Sequence, residues 1–321
     1  MWRPERIIDG PNAISLEDVS ALNRVFSEAF TDRYRRDGLV GVRVPQLNPA
    51  IWHYAIRDAG VGAMTWYDAE QNMVAFNFVH RSGTEGWMGP LAVRTDRQGE
   101  GIGRMIVEAA VEWLKQQQVT TIGLETMPRT VDNIGFYGRL GFLPKHLTIT
   151  MTREVNRGVA GQFAQFGAGP PERQAELLAG CRERLDALAP GCDFSREIEL
   201  TSELDIGDTV VVEEGGEVRG FALYHSAPLA DVRPSDELRV LKLYAESAEV
   251  FSRLMVILES CAAERHLRKV AVRCQTAYPA AYQQLVNDGY RVRWTDLRMT
   301  LDGWSEVEPP GGHVMFSNWE I

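Results

Sequence analysis

The chain has 321 residues, 45% hydrophobic and 24% charged, the balance of a soluble globular protein long enough for two cores. Its formal net charge of −10, from 34 basic and 44 acidic residues, argues against nucleic-acid binding driven by phosphate neutralisation. No run approaches the ~18 apolar residues of a membrane helix, and the N-terminus lacks a secretory pattern. Four cysteines without a Cys-x-x-Cys pair fit reduced thiols in a cytoplasmic protein and call for no metal.

The elements follow in order. Ser15 with Asp18 marks a helix start, and Leu16, Val19, Leu22, Phe26, Ala29 and Phe30 form its apolar stripe. Val61–Tyr67, Met73–Val79 and Trp87–Val93 read as strands. A second amphipathic helix carries Ile102, Met105, Ile106, Ala109, Ala110, Trp113 and Leu114 on one face. Strand Thr121–Thr126, a helix near Val131–Leu140 and strand Leu147–Thr152 complete the first half.

A glycine-rich stretch closed by Pro170-Pro171 reads as a linker, giving a domain 1–155, a linker 156–170 and a domain 171–321. The second half repeats the plan. A helical stretch, Glu172–Leu188, precedes strands Thr209–Glu213 and Val218–Tyr224, joined at Gly215-Gly216. Strand Leu238–Tyr244, a helix through Phe251 and Leu258, strand Val270–Cys274 and helix Pro279–Asn287 follow. Two strands are expected at the end, near Arg291–Trp294 and Leu297–Leu301. Phe142 and Tyr290 are 148 apart, as are Leu124 and Val272, which fits a duplicated α/β (α+β) unit, each copy a mixed central sheet flanked by helices. The charge is divided unequally: residues 1–155 hold 17 basic and 18 acidic side chains, residues 156–321 hold 17 and 26. A polyanionic ligand is therefore expected on the first half.

The most informative stretch is Leu91-Ala92-Val93, a loop, then Gln98-Gly99-Glu100-Gly101-Ile102-Gly103-Arg104 at a helix start. Glycines there let several N–H groups converge, and the helix end adds partial positive charge, which together cradle a phosphate. A nucleotide P-loop needs Lys-Ser/Thr where Arg104-Met105 stands. A dinucleotide-binding oxidoreductase needs a third glycine where Arg104 falls, so that reading is the weaker alternative.

Gln98 to Gly103 resembles the Gln/Arg-x-x-Gly-x-Gly/Ala loop of the GNAT N-acetyltransferase superfamily, and Tyr137-Gly138-Arg139-Leu140-Gly141-Phe142 resembles its Tyr-x-x-x-Gly-Phe signature. The likeness covers roughly residues 60–152; the second half shares only the order of elements. It implies two tandem GNAT-like domains, the first binding acetyl-CoA and the second degenerate. The implied activity is acyl-CoA-dependent N-acyltransfer to a primary amine of a small molecule or peptide, by direct attack through a tetrahedral intermediate. Leu91, Ala92 and Val93 would bind the pantetheine, and Gln98, Gly99, Gly101, Ile102, Gly103 and Arg104 the pyrophosphate. Tyr137 would be the general acid.

For the base, Glu125 and His80 stand at strand ends that can reach the cleft. Asn133 lies one turn before Tyr137 and is a further coenzyme-contact candidate, whereas the family's usual position for Asn is Thr130. Tyr34, Trp52, Trp66 and Trp87 are aromatic candidates for an acceptor pocket. In the second half, Ala245-Glu246-Ser247-Ala248-Glu249-Val250 has no glycine, and Leu285 stands where Tyr137 does in the first. A non-catalytic coenzyme A-binding protein is the alternative. Neither nucleic acid nor membrane is an expected partner, and the chain is expected as a monomer or homodimer. Val314–Ile321 is expected to complete the first sheet or seal the interface.

Overall fold

The computed structural model describes residues 8–155, 163–231, 234–307 and 311–319. The expected helix start is a capping box: the Ser15 N–H and hydroxyl donate to the Asp18 carboxylate at 2.8 and 3.0 Å. A 3-10 turn leads into α1 (Val19–Arg36), which follows a short edge strand, β1 (Asp9–Ala13). A helix that was not expected, α2 (Pro49–Ala59), is capped by Asn48, whose side chain accepts the Ala50 N–H at 3.0 Å, with Pro49 at its first turn. Helix α2 buries Ile51, Trp52, Ala55 and Ala59.

An antiparallel meander follows: β2 (Ala63–Tyr67), β3 (Met73–Ser82) and β4 (Glu85–Val93). Helix α3 (Ile102–Gln116) crosses over to β5 (Thr121–Thr126), parallel to β4; then come α4 (Val131–Arg139) and β6 (Phe142–Glu154). The second half runs β7 (Ala164–Gln165), α5 (Pro171–Leu188), α6 (Ser195–Glu203), β8 (Gly207–Glu214), β9 (Glu217–His225) and β10 (Glu237–Ala245). It ends α7 (Ala248–Glu264), β11 (Lys269–Gln275), α8 (Pro279–Asn287), β12 (Arg291–Leu301) and β13 (Val314–Ser317). The architecture is α/β, two tandem domains of one fold. No helix among the described residues is long and apolar enough to cross a membrane.

The two sheets are one. Its strand order is β1-β2-β3-β4-β5-β12-β6-β11-β10-β9-β8-β7, with β13 on β10. Strand β12, from the second half, lies between β5 and β6 and pairs with both. Strand β6, from the first half, pairs in turn with β11. Each half thus lends its last long strand to the other, and the cores follow. Met299 of β12 is buried in the first-half core and Met151 of β6 in the second-half core. Burying one such side chain contributes about 1.5–3 kcal/mol, so the exchange ties the halves strongly.

The duplication has a geometric centre. Thr148 of β6 lies directly opposite Asp296 of β12, and those numbers differ by 148. A pseudo-twofold axis therefore passes between them. Helices α4 and α8 are offset by the same 148 at both ends.

Two expectations change, and a third falls partly outside the described residues. The two terminal strands are one strand, β12, continuous through two register shifts. Residues 156–162 of the expected linker and residues 320–321 lie outside the described residues. Of the two expectations for the C-terminal segment, it does not extend the first half's sheet, since β13 pairs with β10, but it does lie at the interface: Ser317 at the end of β13 and Trp319 beyond it touch the first half. The first-half sheet had already gained its extra strand from β12.

Candidate functional site

Strands β4 and β5 pair in parallel from Glu85↔Thr121 to Met88↔Leu124, and there the pairing stops. Beyond it, β4 shifts register against β3 and continues as Leu91, Ala92 and Val93, paired with Asn77, Phe76 and Ala75. Strand β5 ends with Glu125 and Thr126 paired to β12. The edge of Leu91–Val93 that faces away from β3 therefore borders a slot, with no strand on it among the described residues.

The glycine loop lies at the end of that edge. Gly99 and Gly101 have φ of 82° and 86°, the left-handed region that glycine adopts without steric cost. A Cβ added at either would meet nothing within 4 Å, so the loop faces open space and glycine is needed for its φ alone. The Arg104 and Met105 N–H groups both return to the Gly101 carbonyl. No backbone carbonyl among the described residues accepts from the N–H groups of Gly99, Gly101, Ile102 or Gly103. Gln98 donates to the Val93 carbonyl at 3.1 Å, tying the loop to the strand. A Cβ at Gly103 would lie 3.5 Å from the Phe136 ring, which shows how closely α3 and α4 approach. Arg104 is exposed and paired with Glu108 at 2.7 Å. Arg97, not singled out in the sequence, is buried beside the loop with one guanidinium nitrogen, Nη2, unpartnered.

Tyr137 is 6% exposed on α4, packed between Phe136 and Phe142 with ring centroids at 5.1 and 6.2 Å. Its hydroxyl has no hydrogen-bond partner among the described residues, and burial pushes its pKa well above the ordinary tyrosine value. That keeps it a proton donor. Asn133 donates to the Thr126 hydroxyl at 3.4 Å, so it ties α4 to the end of β5. Thr130 donates to Asp37 at 2.5 Å and Arg33 reaches Asp132 at 3.4 Å, which fastens the end of α1 over the β5–α4 loop.

Neither candidate base is placed well for that task. His80 is 2% exposed; Nδ1 lies 2.5 Å from Asp58 and Nε2 lies 3.1 Å from the Gly89 carbonyl. Both ring nitrogens are engaged with protein oxygens, which leaves neither to meet a substrate amine. His80 instead braces β4 at its register shift. Burial works to raise the Asp58 carboxyl, but His80, Arg196 and Lys242 outweigh it and hold it below the usual range.

Glu125 accepts from Thr148 at 2.5 Å and from Arg298 at 2.7 Å, and it pairs with Arg273. Burial alone would raise it; Arg273 and Arg298 prevail and lower it, which makes it a poor proton acceptor. Glu125 and Arg273 are themselves 148 apart, so this ion pair spans the pseudo-twofold axis. Arg273 also reaches Asp296 at 3.2 Å, and Arg298 holds Glu306 through two nitrogens at 3.1 and 2.6 Å. Carboxylates and guanidiniums thus alternate in a line, Asp296–Arg273–Glu125–Arg298–Glu306. No local pattern in the sequence joins these five, because they come from three strands and a loop in both halves.

Of the aromatic candidates, Trp52 and Trp66 are core residues, and Trp87 is buried beneath the Arg298 guanidinium at 3.9 Å. Tyr34 is partly buried at the end of α1, its ring 6.0 Å from that of Trp294 on β12.

The second half has the same slot with different contents. Strands β10 and β11 pair in parallel from Glu237↔Lys269 to Val240↔Val272 and then separate. Strand β13 fills the gap, pairing with β10 from Lys242↔Ser317 to Ala245↔Val314. Ser247 caps α7 by accepting the Val250 N–H at 3.3 Å, and Leu285 is fully buried.

Residues 26–142 match the model of the acetyltransferase (GNAT) family. A Pyrococcus horikoshii protein assigned as an acetyltransferase is 15% identical with a TM-score of 0.69, covering 99% of this chain and 96% of that one. A tandem GNAT protein from the clavulanic acid biosynthesis pathway is 12% identical with a TM-score of 0.56, covering 92% and 98%. Saccharomyces cerevisiae N-myristoyltransferase with bound myristoyl-CoA is 10% identical with a TM-score of 0.64, covering 96% and 85%. At these identities the likeness is one of fold. No curated protein matches the chain in sequence.

Proposed function

From the match of residues 26–142 to the GNAT family model and the shared fold, we propose that the chain is a tandem-domain GNAT member and an acyl-CoA-dependent N-acyltransferase whose acyl-CoA site lies in residues 1–155. Acetyl-CoA is the proposed donor and a primary amine of a small molecule or peptide the acceptor. The observation that carries this reading is the open edge of Leu91–Val93 ending at a glycine loop whose Gly99, Gly101, Ile102 and Gly103 N–H groups meet no backbone carbonyl among the described residues.

The chain's residues have separate tasks in this reading. The glycine-loop N–H groups bind the pyrophosphate, which suits the partial positive charge of the α3 start. The backbone of Leu91–Val93 aligns the pantetheine arm and holds the thioester carbonyl, so that charge developing on its oxygen meets a fixed donor. Tyr137 gives its proton to the sulfur as the C–S bond breaks, an assistance typically worth ~10²–10⁴ in rate. Isothermal titration of acetyl-CoA, followed by thiol release against a panel of amines, tests the proposal. One equivalent bound, with turnover of at least one amine, is expected. Tight binding without turnover of any amine would favour a coenzyme A-binding protein, and no binding would overturn both.

A further inference from the structure

We propose that Asp296, carried on a strand of the second half, seats the acceptor ammonium at the first-half slot and takes its proton. This rests on the acyl-transfer reading above and supplies the base it lacks.

Position comes first. Leu297↔Thr126 is the last pair between β12 and β5, so Asp296 stands just past the end of β5, beside the place where the β4–β5 slot opens. The end of α1 is fastened over the same place through Asp37–Thr130 and Arg33–Asp132. Tyr34 of that helix end lies against Trp294, and the Asp296 charge acts on its hydroxyl. Asp296 therefore has one aromatic ring beside it on its own strand and another above it on α1. A carboxylate flanked by two aromatic rings is suited to an organic ammonium.

Charge comes second. The line Asp296–Arg273–Glu125–Arg298–Glu306 holds three carboxylates and two guanidiniums, so it lacks one cation. Only the end members have a single guanidinium partner in it. Glu306 is gripped by Arg298 through both of its oxygens. Asp296 has Arg273 on one oxygen, at 3.2 Å, and only the neutral Trp294 indole N–H on the other, at 3.1 Å. Asp296 is the more weakly held end, and the end beside the slot.

The groups facing Asp296 are Arg273 on β11, Glu125 on β5, Thr148 opposite on β6 and Tyr34 on α1. Burial raises its pKa; Arg273 opposes this and Glu125 adds to it, with a net rise. Glu125 is moved the other way. Two neighbouring carboxyls pushed apart in this manner divide into one that stays charged and one able to exchange a proton.

The ammonium gives one proton to the Asp296 carboxylate, and the freed nitrogen lone pair forms the C–N bond. The C–S electron pair leaves on sulfur, which takes the Tyr137 proton. The remaining excess N–H proton of the intermediate returns to Tyr137 through solvent.

Asp296→Asn should leave acetyl-CoA affinity and melting temperature near wild type. It should lower kcat/KM for an alkylamine by ~10²–10⁴ and abolish the acidic limb of its pH profile. An arylamine, already neutral at assay pH, should lose tenfold less. Asp296→Glu should restore part of the rate, and Glu306→Gln, at the far end of the line, should keep the acidic limb. Asp296→Asn with an intact acidic limb, or equal losses for alkylamine and arylamine, would overturn the proposal. A wild-type protein that turns over no amine would instead bring down the acyl-transfer reading, and this proposal with it.

Discussion

Two slots related by a pseudo-twofold axis have met different ends. Between β4 and β5 the edge of Leu91–Val93 faces open space, and Gly99 and Gly101 turn the chain through left-handed φ at its end. Between β10 and β11 the chain has laid its own strand, β13, along Lys242–Ala245, and a serine cap replaces the glycines. A strand paired to that edge uses the same backbone groups that an extended ligand would use. In the second half that edge is thus occupied by the chain itself, and the end of β13 with the residues after it joins the halves. Ser317 donates to Glu85 at 2.7 Å, and the Trp319 ring lies 5.8 Å from both His80 and Trp87. The two halves are joined besides through exchanged strands and buried ion pairs.

The largest expected difference between the slots is catalytic. Tyr137→Phe should lower kcat by ~10²–10⁴ while acetyl-CoA affinity is kept. The reciprocal Leu285→Tyr should create no activity when the first half carries Tyr137→Phe. Turnover of Tyr137→Phe within a few-fold of wild type would remove the tyrosine from the mechanism. Next in size is the plug. Phe316 is fully buried in the second-half core against Phe251 and Tyr278, so Phe316→Ala should cost about 3–5 kcal/mol in urea unfolding. It should not reveal a second coenzyme equivalent in titration; if one appears, β13 is a displaceable occupant. Smaller again is the glycine turn. Gly101→Val forces a β-branched residue to a φ of 86°, a strain of about 1–3 kcal/mol that should weaken acetyl-CoA roughly 10- to 100-fold. Ser247→Ala, which removes the cap on α7, should weaken stability by about 0.5–2 kcal/mol and leave coenzyme affinity unchanged.

Local chemistry was legible in the sequence, and long-range pairing was not. Strand Thr121–Thr126 and helix Pro279–Asn287 coincide with their expected ranges, because turn residues and periodicity mark them within a few positions. The 148-residue offset recurs in the Thr148↔Asp296 pairing. Helix α2 went unseen: Trp52, His53 and Tyr54 blur its stripe, and its cap is the single Asn48. The strand exchange was hidden for a different reason. Val292, Trp294 and Met299 give β12 the composition of any terminal strand, and nothing local states which sheet it joins. The site divides likewise. The glycines and Tyr137 stand in a local pattern, whereas Asp296, Arg273 and Arg298 meet Glu125 only through the exchange. Glu125 looks like a candidate base in the sequence because its two guanidinium partners lie 148 and 173 residues away.

The smallest effect concerns the seam itself. Glu197 on α6 is fully buried, accepts from Ser82 of β3 and lies 3.8 Å from Lys242 of β10, while its second oxygen has no partner among the described residues. Burial is the main cause that raises its carboxyl to about 7, with the Asp58 charge adding and Lys242 opposing. The folded state therefore keeps a proton that the unfolded chain releases in the ordinary carboxylate range. Below that range both states are protonated and folding carries no penalty from Glu197. As pH rises towards 7 only the unfolded state ionises, so stability falls, and the loss levels off above the folded value. Between pH 6 and pH 8 this amounts to about 1 kcal/mol. Glu125 works in the opposite sense in a separate window. Its lowered pKa stabilises the fold above the usual carboxylate range, and that contribution is lost as the pH falls through its folded value. Urea unfolding at pH 6 and pH 8 should show the decline in wild type and a flatter response in Glu197→Gln. An equal decline in both proteins would assign the pH dependence elsewhere and leave the joint between the halves electrostatically neutral.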